Sequence, residues 1–173
     1  MPAPQEMLAV LGAAVFVVFG WSIRGFLFIL PSRVMYFHAW EVFSIFMYMM
    51  AFALVESLLL TGGLTALGMA LPVKWLRQGF SYKGLLIILV GTVAAIGYQR
   101  SLGDDLPPKA TLLLWMAAPL LLTLSLFALL YFFPRLSVFL ASLAERFTIF
   151  AYIYVPLGAL GLLVVLLRNI LAL

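Results

Sequence analysis

Apolar residues run through this chain in long blocks, with no strand-like alternation of apolar and polar positions. Blocks of this kind predict helices that are apolar on every side, which belong in lipid or in the middle of a large bundle. A helical crossing needs about 20 such residues, because about 1.5 Å of rise per residue must cover a hydrocarbon core of about 30 Å. Five spans follow: 7–30, stopped by Pro31; 40–60, or 40–71 if it runs on to Pro72; 83–98; 111–133, before Pro134; and 147–167. The fold class predicted is an all-α integral membrane protein, a single domain of five transmembrane helices. The missing alternation removes the barrel option.

Two of these spans strain the length rule. A helix unbroken from Trp40 to Leu71 would be about 48 Å long, well beyond the hydrocarbon thickness. Glycine is the weakest helix former after proline, so the pair Gly62-Gly63 is the expected place for a bend or an end. Residues 64–71 would then form a short sixth element at the interface. The third span has the opposite problem. Its apolar run from Gly84 to Tyr98 covers only about 22 Å, so Tyr82 and Lys83 are expected to snorkel from within it. Tyr36, Trp40, Trp75, Tyr82, Tyr98 and Tyr131 fall near the ends of spans, where amphipathic rings settle.

Composition supports the same class. Of 173 residues, 66% are hydrophobic and 9% charged, against about 25% charged in a soluble domain. Sixteen charged side chains cannot dress a soluble surface, and disorder needs the opposite balance. The ten Lys and Arg are scattered singly, which suits anchors at anionic headgroups and not a nucleic-acid surface. Arg24, Arg33, Arg100, Lys109 and Arg168 fall on one side of the membrane; Lys74, Arg77, Lys83, Arg135 and Arg146 fall on the side of the N-terminus. Setting aside Arg24, which lies inside its span, tips the count by one toward a cytoplasmic N-terminus. The expected location is the cell's plasma or inner membrane.

Ionisable groups at membrane depth are the pointers to function, since each costs about 2.5–3.5 kcal/mol by insertion scales. Glu56, in Ala53-Leu54-Val55-Glu56-Ser57, is the clearest. It is either a coupling or binding carboxylate, or a packing group held by an interhelical bond. Depth selects its partner. With the first helix ending at Leu30, Arg24 and Glu56 differ by about 15 Å in depth, so Arg24 is expected to pair with Glu41, a headgroup or a carbonyl. Lys83, entering from the second loop, is the expected partner of Glu56.

A second constellation lies at the first loop. His38 and Glu41 are three apart and share a helix face. They offer half a metal site, a helix cap, or, with Arg24 and Arg33, a rim for a lipid phosphate or another anion. A complete metal shell would have to borrow Asp104 or Asp105, which a turn before Pro107-Pro108 explains equally well. With one His and no Cys, neither a metal nor a cofactor is expected. Met47, Met49 and Met50 read as a packing or lipid-facing surface before a copper or ligand site. Small residues four apart, Ala9/Ala13, Ser57/Thr61 and Gly91/Ala95, predict close helix contacts. Pro119 and Pro156 predict kinks. No nucleophile elbow, phosphate loop or dinucleotide turn is present.

Three functions fit these residues. The first is a non-catalytic subunit of a larger membrane assembly, working through helix and lipid contacts with other subunits. The second is a small carrier or capture component for an ion or small solute, using Glu56. The third is an enzyme acting on a lipid headgroup at the rim of Arg24, Arg33, His38 and Glu41.

Overall fold

A computed structural model describes residues 2–72, 76–101 and 109–171. It contains α1 (Pro4–Tyr36), α2 (Ala39–Ala70), α3 (Phe80–Ser101), α4 (Lys109–Phe132) and α5 (Pro134–Leu171). All five are long and apolar enough to cross a membrane, and no strand occurs among the described residues. The protein is an all-α membrane bundle. Successive helices run in opposite directions through the layer. α1 and α3 therefore start, and α2 and α4 finish, at what is here called the near face.

The ends of the helices correct four expectations. α1 does not stop at Pro31 but continues to Tyr36, where the Phe37 N–H donates to the Arg33 carbonyl at 2.9 Å. Its 33 residues span about 50 Å, so its last turns overshoot the hydrocarbon. A carbonyl freed by proline there can be solvated at the interface, which makes the interruption cheap.

α2 likewise passes through Gly62-Gly63 to Ala70, so residues 64–71 are no separate element. Two glycines cost about 2 kcal/mol of helix propensity. Thr61, Leu64, Thr65 and Gly68 are buried on the same face and hold the turn in place. The hydroxyls of Ser57, Thr61 and Thr65 donate to the carbonyls of Ala53, Ser57 and Thr61 at 2.7–2.9 Å, so this polar row is satisfied within its own helix.

α3 starts at Phe80 and reaches about 33 Å, which removes its apparent shortness. α5 begins at Pro134 and not at Phe147. Residues 134–146, between the fourth and fifth expected spans, belong to this helix, which carries Glu145 and Arg146 on an exposed side and buries Ala144.

The core lies along α1. One apolar cluster joins Val10, Ala13 and Ala14 to Phe80, Leu85 and Ala144; the other joins Val15 and Phe19 to Met50, Leu54 and Ala151. Glycine permits the closest approaches. A Cβ on Gly12 would run into the Phe147 carbonyl of α5, and one on Gly161 would stand 2.6 Å from the Met47 carbonyl of α2. α1, α2 and α5 thus form a tight triad, with α3 packed on α1 and α4 at the periphery. No residue in the most apolar 18-residue stretch of α4 is buried.

Ser44 is the odd member of this core. It is fully buried and its Oγ has no hydrogen-bond partner among the described residues. Desolvating a hydroxyl without a partner costs about 1–3 kcal/mol. Ser44→Ala is therefore expected to leave the thermal midpoint unchanged or to raise it, as read by differential scanning fluorimetry in detergent.

Candidate functional site

Between α2 and α3, with α1 as its floor, lies a cavity of about 450 Å³. Among the described residues its walls come from these three helices, and its fourth side faces the surroundings of the bundle. At this depth those surroundings are acyl chains. Among the described residues Glu56 is the one ionisable residue lining it, and the rest of the polar lining is Ser22, Thr92 and Gln99. Glu56 is exposed and makes no hydrogen bond or ion pair with any described residue.

Helix rise explains why these residues meet. Glu56 lies 14 residues before the end of α2, about 21 Å from the near face. Val18 of α1 reaches the same level, and Thr92 of α3 lies about 18 Å from that face. Both line the cavity beside Glu56. The middle of α3 falls about 16 Å from the near face, which puts Glu56 about 5 Å from the bilayer centre.

Polar groups elsewhere in the cavity are arranged by depth. Below Glu56, toward the near face, the walls are Leu60, Leu64, Ile87 and Ile88. About 6 Å above it come Ser22 and Gln99, with Trp21 between the two levels. The Thr92 hydroxyl donates to the Ile88 carbonyl at 2.7 Å, which leaves its oxygen able to accept. Arg24 lies outside the lining, its guanidinium 5.3 Å from the centre of the Trp21 ring.

The expected partner of Glu56 is elsewhere. Lys83 lies about 5 Å from the near face and lines a separate cavity of about 440 Å³, bounded by α3, the end of α4 and the start of α5. Its ammonium lies 5.8 Å from the Tyr82 ring and 5.9 Å from the Phe127 ring. The pairing rests on a match in depth that the long α2 does not give. The ten residues of helix beyond Leu60 set Glu56 about 15 Å further from the end of α2.

The first-loop residues do not form one site. His38 sits at the start of α2, and its backbone N–H donates to Glu41 Oε2 at 2.9 Å. The carboxylate thereby satisfies a helix N-terminus, where its charge is favoured. Arg33 lies over Phe37, 5.3 Å from the ring centre, and Arg24 lies over Trp21 and not against Glu41. No three His, Cys, Asp or Glu residues gather among the described residues as a metal site would need. Asp104, Asp105 and Trp75 lie outside those residues.

The small-residue pairs divide. Ala9/Ala13 and Ser57/Thr61 are buried in helix contacts, whereas Gly91 and Ala95 are exposed and line the cavity. A Cβ on Gly91 would meet nothing within 4 Å. The same spacing that lets two helices touch here keeps a wall thin. Met50 is fully buried and Met49 packs beside it, so these two methionines belong to the core. Trp21, Ser22, Thr92 and Gln99 were not singled out in the sequence. Single uncharged polar residues are ordinary in spans, and only their place in the same cavity lining as Glu56 distinguishes them. No family model, curated protein or solved structure matches this chain.

Proposed function

We propose that the protein is a capture component for a small solute in the plasma or inner membrane, with Glu56 as its binding carboxylate. One observation carries this: a carboxylate near the bilayer centre faces an open cavity and has no partner among the described residues. Intramembrane charge is expensive, and those that persist line cavities and pathways. The cavity's volume and its apolar walls with a few convergent polar groups are those of a small-molecule site.

The absence of cysteine makes the test clean. In Ala95→Cys, a single thiol on the cavity wall should react with N-ethylmaleimide. Solutes extracted from the native membrane should slow that reaction about tenfold, and the slowing should vanish in Ala95→Cys with Glu56→Gln. Equal rates with and without extract would overturn the proposal.

A second function, a subunit of a larger assembly, has its own support in α4. Leu113, Leu114, Met116, Leu120 and Leu121 are all more than 60% exposed. Such a face meets lipid or another chain equally well. If it meets a chain, Leu121→Arg should remove a stoichiometric partner from the complex purified in mild detergent. An unchanged complex, or a wild-type protein isolated alone, would count against it. The headgroup-enzyme function gains nothing, since Glu41 is engaged with the backbone of His38.

A further inference from the structure

We infer that the occupant of the α1–α2–α3 cavity is a lipophilic organic monocation, an amphiphile bearing one ammonium-type charge, which enters sideways from the bilayer. This rests on the capture function proposed above and adds the chemical class. Three features of the cavity carry it.

The first is charge. Among the described residues one carboxylate lines the cavity, and no basic residue of the lining neutralises it. A single positive charge on the occupant removes the cost of an ion held near the bilayer centre, and an anion would raise that cost.

The second is the spacing of the oxygens. Ser22 and Gln99 lie about 6–10 Å above the level of Glu56 and Thr92. A bare metal ion needs its ligands within about 2.0–2.6 Å, six or more of them for calcium, and two levels so far apart cannot supply that shell. An extended molecule can use both levels at once. Its charged group would lie at Glu56 and Thr92, and a polar group at Ser22 and Gln99.

The third is the layering of the walls. The deep end, at Leu60, Leu64, Ile87 and Ile88, holds no polar side chain. That half accepts a hydrocarbon or aromatic body. Since α1, α2 and α3 alone bound the cavity among the described residues, such a body can pass from the acyl chains without crossing water. A hydrophilic cation would have no such route and no use for the apolar half.

The test uses a matched set of probes on Ala95→Cys in phosphatidylcholine nanodiscs. Tetraphenylphosphonium is a permanent lipophilic cation, tetraphenylborate its anion of the same shape, and triphenylmethanol an uncharged relative. The cation should protect the thiol from N-ethylmaleimide at least tenfold better than either of the others. Glu56→Gln should abolish that preference, and Glu56→Asp, which keeps the charge, should retain it. Protection by the anion or the uncharged compound equal to that by the cation would overturn the chemical class and leave capture standing. A preference that survives Glu56→Gln would overturn it too. A thiol that reacts freely in the presence of all three probes and of native membrane extract would overturn both. A thiol blocked in native membranes but open after purification, and indifferent to the cation, would assign the cavity to another polypeptide and overturn the inference.

Discussion

Replacing Gly12 by leucine is expected to leave little folded protein. The new side chain would begin inside the backbone of α5, against the Phe147 carbonyl and the Thr148 nitrogen. Backbone atoms cannot turn aside as a flexible side chain can, so α1 and α5 would have to separate. Separation would loosen the aromatic group of Phe16, Phe147 and Phe150, whose ring centres lie 4.5–5.9 Å apart. It would also loosen the apolar cluster around Ala9 and Ala13. Overpacking of this kind costs about 3 kcal/mol or more. The measurement is the yield and thermal midpoint of the variant in detergent. Gly62→Ala is the control: its Cβ would meet nothing within 4 Å, and a better helix former should add about 1 kcal/mol. A Gly12→Leu variant as stable as the parent would mean that α1 and α5 do not touch at this point.

The second large effect has the opposite sign. Glu56→Leu is expected to stabilise the protein by about 2–3 kcal/mol, because a carboxylate with no partner among the described residues gives way to a side chain that lipid accepts. The same change should abolish solute-dependent protection at Ala95→Cys. Gain of stability with loss of binding is the signature of a residue kept for function. Unfolding by sodium dodecyl sulfate in mixed micelles reads the first effect and maleimide labelling the second. A loss of stability above about 1 kcal/mol would mean that Glu56 holds helices together, the packing role considered for it in the sequence.

These predictions show where the chain was legible and where it was not. Five helical crossings followed from composition and block length, since lipid leaves the backbone few alternatives. The ends were harder. Pro31 and Gly62-Gly63 are local signals worth about 1–3 kcal/mol, and each was overridden. Pro31 lies in turns that overshoot the hydrocarbon, and the glycines are flanked by residues buried in the core. Residues 134–146 lie between the fourth and fifth expected spans, yet a helix carries Glu145 and Arg146 there on an exposed side.

Those ends governed the site. Glu56 is visible as an ion among apolar residues, but the depth match that points to Lys83 fails once α2 runs on to Ala70. Corrected for length, the same arithmetic takes Glu56 away from Lys83 and sets it level with Val18 and Thr92. Arg24 moves as well. With α1 ending at Tyr36 it lies about 18 Å from that end, twice the expected depth, and its ring partner is Trp21. Gly91/Ala95 shows a different limit. A four-residue spacing of small side chains marks a thin helix face, and sequence alone does not say whether a helix or an open space lies opposite.

A nitroxide attached to Gly91→Cys, with the protein in nanodiscs, tests the open cleft between α2 and α3 most directly. Gly91 stands about 16 Å along α3, near the bilayer centre, with nothing close to its missing side chain. The spectrum should be mobile, and dissolved oxygen, which concentrates in acyl chains, should relax the label far more than a water-soluble nickel chelate. An immobilised label that neither reagent reaches would place a packed helix where this account has a cavity.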